Sequence, residues 1–343
     1  MGMESQLSAD ARHQLDVFCR QYLQVTLELD YPTEEHLRSD AFQQSVYSRL
    51  FSDDVQYAPP PRYQLRVLKE LMKRTEASVQ DWDEEGISDD LMNCLAVLLS
   101  TSLPSEETSA QQKAYVTYSL SFLPRQSGPN PTITLHEARN ILAAAGTTGL
   151  RTWEAGLHLG NYLCRNPKVI CGKSIVELGS GTSYISILCA KYLGASHVLA
   201  TDGDDDVVAS FSTNFYLNGL QQASHIEGKE LKWGHALTGG EDSRWNLGRH
   251  IDLVLGADLT YDPRNIPPLV STFGDLFELY PDVKILIAAT VRSEETFGKF
   301  PDACKRNGYG FREIEFGVLR GAEQEGPFYS DLAPVRLCVI TKS

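Results

Sequence analysis

The chain has no C-x-x-C pair, no G-x-x-x-x-G-K-[ST] run, and no apolar stretch approaching the ~18 residues of a membrane span. Its seven cysteines are an odd number and unclustered. That predicts reduced thiols in an intracellular protein, with Cys164 and Cys171 as packing residues and no metal site. The missing phosphate loop argues against a nucleoside triphosphate. No charged-then-apolar leader opens the chain, and Gln6 stands where N-myristoylation wants Ser or Thr. The expected compartment is the cytoplasm, with no membrane partner. Positive charge is also scarce: 31 Lys and Arg against 45 Asp and Glu leave a net charge of −14. Direct nucleic-acid binding needs a basic face and is not expected. A protein substrate that carries a lysine is compatible with this charge.

What the chain does contain is organised around Ser174 to Asp202. Ser174 to Leu178 is a short apolar run that ends in Gly179 and Gly181. Tyr184, Ile185, Ile187, Leu188, Ala190 and Leu193 then recur at helical spacing, and Val198 to Ala200 form a second strand closed by Asp202. In a right-handed strand–helix–strand unit, the glycine turn and that carboxylate lie at one edge of the sheet. Glycines allow close backbone approach to a ligand, and a carboxylate about 20 residues on can accept hydrogen bonds from ribose hydroxyls. A nucleoside is the ligand this suits. NAD and FAD fit poorly, because the third glycine of the dinucleotide fingerprint is replaced by Tyr184.

The N-terminal part reads as helices. Leu15, Phe18, Cys19, Tyr22 and Leu23 form one stripe; Pro32 to Glu35 read as a cap followed by Phe42, Val46, Leu50 and Phe51. Prolines 59 to 61 precede a helix from Tyr63 to Met72, and Leu91 to Leu99 form another, after a solvated acidic loop from Asp81 to Glu85. Gly128 to Pro131 is a turn, and Thr132 to Leu135 a candidate strand. The expected organisation is a helical accessory domain over 1–130, a candidate for substrate recognition, and an α/β domain over 131–343. In the second part, Gly146 to Gly149 lead to Trp153 at the start of a helix. Asp204 to Asp206 cap a helix that stops at Asn218-Gly219. Glu230 to Gly234 is the expected third strand and its exit, followed by a polar loop from Gly239 to Gly248. Ile251 to Ala257 has the continuous apolar character of a strand buried on both faces. Val283 to Ala289 is the next strand, and Phe311 to Phe316 with Val335 to Ile340 close the sheet. This alternation predicts a doubly wound, mostly parallel seven-stranded sheet.

Four clusters fall at the expected carboxyl ends of strands: Gly179 to Gly181, Asp202, Trp233, and Asp258 to Tyr261. Taken singly, Asp258 reads first as a turn residue or helix cap, and Tyr261 and Trp153 as packing. In a doubly wound sheet, however, those ends share one crevice.

The Glu177-Leu178-Gly179-Ser180-Gly181 run resembles the first motif of seven-strand S-adenosylmethionine methyltransferases. That family usually has another glycine where this chain has Ser183, a residue acceptable at a helix start. Trp153, the glycine motif, Asp202, Trp233 and the D-x-x-Y set Asp258 to Tyr261 resemble its protein-lysine methyltransferases. The Gly-Thr-Thr-Gly-Leu-x-Thr-Trp run, Val291-Arg292 and the long helical N-terminal part are similar to one subgroup, which acts on eukaryotic elongation factor 2. The resemblance implies S-adenosylmethionine contacts at Trp153, Gly179, Ser180, Gly181, Asp202, Trp233 and Ala257. It implies that Asp258 and Tyr261 border the target lysine, with elongation factor 2 as the protein partner. A methyltransferase of another protein or of a small molecule would look the same in sequence. A catalytically silent cofactor-binding scaffold would have no need of Asp258 and Tyr261.

Overall fold

The structure, a computed structural model, describes residues 7–105, 112–124, 130–138, 148–237, 245–246 and 248–342. Gln6, Gly128, Pro129, Gly146, Thr147 and most of the polar loop from Gly239 to Gly248 lie outside the described residues. Among the described residues, no helix is long and apolar enough to cross a membrane. The chain divides into two compact units.

Among its described residues the first unit holds five helices, α1 (Ala9–Leu23), α2 (Glu34–Leu37), α3 (Asp40–Leu50), α4 (Pro61–Ser78) and α5 (Asp89–Ser100). Ser8 caps α1 by accepting from the Ala11 N–H. The single helix expected after Pro32 is two, because the chain leaves the helical conformation at Ser39, the N-cap of α3. The expected apolar stripes meet in one core around Phe18, Tyr22, Phe42, Val46 and Leu68. The unit also contains an antiparallel hairpin of β1 (Ala114–Ser119) and β2 (Thr132–Glu137), in register Ala114 with Glu137. The described residues 130–138 therefore group with the helices, so a division at 130/131 cuts between the two strands of this hairpin. The segment Glu325–Phe328 belongs here too. Arg20 donates to the Glu325 carbonyl at 2.9 Å, and the Gln24 amide oxygen accepts from the Phe328 N–H at 2.8 Å.

The second unit is an α/β fold built from α6 (Glu154–Arg165), β3 (Ser174–Leu178), α7 (Tyr184–Lys191), β4 (His197–Asp202), α8 (Asp205–Leu217), β5 (Ile226–Glu230), β6 (Leu253–Ala257), α9 (Ile266–Leu279), β7 (Lys284–Thr290), α10 (Glu294–Arg306), β8 (Tyr309–Ile314) and β9 (Val335–Lys342). Its seven strands lie in the order β5-β4-β3-β6-β7-β9-β8. The five strands from β5 to β7 are parallel, and β9 is antiparallel to both β7 and β8. β3, β4, β6 and β7 are buried almost throughout, which explains the continuous apolar character of β6 and of most of β7. From β3 the chain adds strands outward to β5, then returns to lay β6 on the other side of β3. That reversal makes the carboxyl ends of β3 and β6 a topological switch point, where an open α/β sheet leaves a crevice.

β5 differs from its expected position. It spans Ile226–Glu230 at the sheet edge and ends where a strand over Glu230 to Gly234 would begin. Leu231 and Trp233, whose apolar character suggested a strand there, instead pack into the core below the crevice.

Candidate active site

The crevice is a cavity of about 630 Å³ within the second unit. Trp153, Gly179, Ser180, Gly181, Asp202, Trp233, Ala257, Asp258 and Tyr261 all line it. The structure thus brings every expected site residue to one place.

Its floor is the turn after β3. Gly179 and Gly181 have φ of +60° and +52°, which an L side chain adopts only with strain. A Cβ on Gly179 would lie 2.6 Å from Leu259 Cδ2 and 3.1 Å from Trp233 Cζ2. A Cβ on Gly181 would meet the Gly149 carbonyl oxygen at 3.0 Å. Ser180 is held between strands: its hydroxyl donates to the Glu177 carbonyl at 3.2 Å and accepts from the Thr201 N–H at 3.0 Å. Its backbone is bonded as well, the N–H donating to the Thr201 carbonyl and the carbonyl accepting from the Ser183 N–H, both at 2.8 Å. Ser183, the position of the missing glycine, keeps the left-handed conformation at φ 65°. It is the N-cap residue of α7, yet its side chain makes no capping bond and its buried hydroxyl has no partner. Capping therefore does not explain this serine.

Asp202 ends β4 with one carboxylate oxygen accepting from the Gly181 N–H at 3.1 Å and the other from the Asp204 N–H at 3.2 Å. Burial pushes this carboxyl up and those backbone donors pull it down. A carboxylate has about four acceptor sites, so the side chain, fastened at the glycine turn, keeps acceptors for two vicinal hydroxyls. Trp233 and Leu259 supply an apolar wall beside it. Below lies Glu177, fully buried in β3, whose carboxylate accepts from both the N–H and the hydroxyl of Ser186. Burial drives its carboxyl up to about 7, against those two hydrogen bonds.

The opposite end is formed by the exits of β6 and β7 and the start of α6. Asp258 leaves β6 at φ 53° and is buried. Its two oxygens accept from the Thr290 N–H at 2.8 Å and the Thr290 hydroxyl at 2.9 Å. The helix-cap reading of Asp258 is not what the structure shows: Asp262 has that role, accepting from the Arg264 N–H at 2.9 Å. Tyr261 is half exposed, its hydroxyl 3.3 Å from that of Thr148. Trp153 donates its indole N–H to the Thr148 carbonyl at 2.9 Å, and the guanidiniums of Arg151 and Arg292 lie 4.9 Å and 5.8 Å from its ring centroid. Arg292 also reaches Glu154 at 3.4 Å.

Thr290, Glu154, Thr148 and Leu259 were not singled out from the sequence, and Arg292 was noted only for resemblance. The strand-end rule that marked Asp258 applies equally to Thr290 and Arg292, which leave the carboxyl end of β7. An acceptor pair for hydroxyls, an apolar wall and a second buried carboxylate near the opening together suit transfer between a nucleoside-bearing donor and a cationic acceptor.

A family model described as lysine methyltransferase matches residues 133–303. The protein-lysine N-methyltransferase EFM3 of Chaetomium thermophilum is 50% identical over 327 residues, which span 95% of this chain and 97% of that protein. EFM3 of Saccharomyces cerevisiae is 30% identical over 61% of this chain and 66% of its own length. The human protein-lysine N-methyltransferase EEF2KMT is 27% identical over 74% of this chain and 73% of its own.

Proposed function

We propose that this chain, which belongs to the lysine methyltransferase family and is a protein-lysine N-methyltransferase, takes its methyl group from S-adenosylmethionine and delivers it to a lysine of eukaryotic elongation factor 2 in the cytoplasm. The observation that carries the reading is the single cavity with Asp202 at one end and Asp258 at the other. The elongation factor follows from the subgroup resemblance and the similarity to EEF2KMT.

When bound, S-adenosylmethionine supplies an electrophilic sulfonium methyl. Asp202 would hold its ribose hydroxyls, Trp233 and Leu259 would supply an apolar wall for its base, Gly179, Gly181 and Ala257 would leave room for it at the strand ends, and Trp153 would contribute from the start of α6. A lysine arrives as an ammonium, with a reference pKa of about 10.4, and must lose a proton to become a nucleophile. Asp258 attracts and orients the ammonium; desolvation in the opening then favours the neutral amine. Tyr261 orients the amine lone pair by hydrogen bonding. Rate acceleration comes mainly from holding amine and methyl in line, which converts a bimolecular step into an effectively unimolecular one.

The test is incubation of the protein with methyl-labelled S-adenosylmethionine and a cytosolic extract. The reading predicts one labelled protein, identified by mass spectrometry as elongation factor 2. Another labelled protein would overturn the substrate, and no labelled protein would overturn the transfer.

A further inference from the structure

Asp258 has an unusual setting for a residue that meets a substrate. It stands in the left-handed region and is only 8% exposed, yet it lines the cavity. Its position is set by the neighbouring strand. The parallel pairing of Ala257 with Ala288 brings the end of β7 alongside, and the Asp258 N–H donates to the Ala288 carbonyl at 2.8 Å. Thr290 then donates twice, its N–H to one carboxylate oxygen and its hydroxyl to the other. A carboxylate held at two points cannot rotate, and acceptor sites remain on each oxygen for a ligand.

We propose that Thr290 is a positioning residue for methyl transfer, its amide and hydroxyl together aiming the Asp258 carboxylate at the incoming lysine and keeping it charged. This rests on the role given to Asp258 above. Burial pushes the Asp258 carboxyl up, and Thr290 is the main influence pulling it down. Arg292, leaving β7, acts in the same direction, and Glu154, opening α6, acts against it. Tyr261 on the β6 exit, Arg151 ahead of α6, Glu177 and Asp202 on β3 and β4, and Tyr184, Asp204 and Lys232 are the other ionisable groups that line the cavity. Among the described residues, only Thr290 offers Asp258 a neutral side-chain donor that can be removed without altering the charge of the site.

The experiment compares Thr290→Val, which is isosteric but lacks the hydroxyl, with Thr290→Ser, which restores it. kcat/KM for the protein that the extract assay labels is measured against pH, and the ratio of variant to parent is taken at each pH. This ratio cancels the target lysine's own titration and reports the enzyme group. Losing one hydrogen bond to a charged carboxylate raises its pKa, so the Thr290→Val ratio falls severalfold as pH is lowered across the acid limb of the parent's profile. Thr290→Ser stays near the parent, and cofactor affinity is unchanged in both. A ratio that is constant with pH, whatever its size, overturns the proposal, because a merely structural role has no reason to titrate. Thr290→Ala replaces the valine variant should that one not fold. Asp258→Asn is run in parallel. If it transfers at the parent rate, the reading of Asp258 fails, and this proposal with it; if it is crippled while the Thr290→Val ratio stays flat, only the proposal fails.

Discussion

Ser183 carries two local penalties, a left-handed φ of 65° and a buried hydroxyl without a partner. Glycine removes both and gives back some unfolded-state entropy, so Ser183→Gly is expected to stabilise the protein by about 1 kcal/mol. Denaturant unfolding measures this, and a loss of stability would contradict it. The family pattern with glycine here was legible in the sequence, but the reason for it was not: φ is invisible until the turn is built. Glu177 is the other costly residue. Its carboxyl rises from 4.5 to about 7 on folding, so between those values the native state holds a proton that the unfolded chain has released. Stability from this group is full below about pH 4.5 and is lost as pH rises through about 7, on the order of 3 kcal/mol in all. Glu177→Gln should therefore flatten the decline in unfolding free energy between about pH 5 and about pH 8. An unchanged decline would show that Glu177 is ionised throughout.

At the scale of elements, the turn between β3 and α7 does the most with the least side chain. Gly179→Ala would force a Cβ against Leu259 and Trp233 while keeping φ at +60°. We expect about 1–2 kcal/mol of lost stability from the backbone alone. Displacement of Trp233 adds a loss of S-adenosylmethionine affinity, read by calorimetry; unchanged affinity would remove this turn from the site. Buried strands were the most legible elements. β6 and β7 are nearly uniform runs of Val, Ile, Leu and Ala, and β3 and β4 carry such residues at Ile175-Val176 and Val198 to Ala200, because both faces are covered. β5 was misplaced because an edge strand with Gly228 and Lys229 has little apolar signal, whereas Leu231 and Trp233 next to it are apolar for the core and the cavity. β1 carried a signal that was not used: Val116 and Tyr118 alternate with the more exposed Tyr115 and Thr117.

At the scale of the whole molecule, convergence at strand ends is what drew Gly179 to Gly181, Asp202, Trp233, Asp258 and Tyr261 together although each alone was ambiguous, whereas Trp153 and Ala257 came from the family resemblance; all of them line the one cavity. Thr290 and Glu154 were not legible, since their importance comes from the register of β7 on β6 and from the start of α6, both long-range features. The division at 130/131 failed for a similar reason, because the pairing of β1 with β2 spans it. A chain beginning at Pro131 would keep β2 without β1, and Glu325–Phe328 without Arg20, Gln24 and Ser121, which bond to it. The cut runs through the first unit and not between the units, so loss of transfer by such a fragment would not isolate recognition. Substrate recognition by the helical unit, which we also propose, is therefore better tested in the full chain.

The central claim is that one cavity holds the methyl donor at Asp202 and the lysine at Asp258. Its most direct test is a paired measurement on Asp202→Ala and Asp258→Asn: S-adenosylmethionine affinity by calorimetry, and methyl transfer at saturating donor to the protein that the extract assay labels. Losing a charge-assisted bond of about 1.5–3 kcal/mol should weaken donor binding by Asp202→Ala at least tenfold. Asp258→Asn keeps the shape of the side chain but not its charge. It should bind the donor as the parent does and lose most of its transfer. Parent-like donor affinity in Asp202→Ala, or parent-like transfer in Asp258→Asn, would contradict the claim.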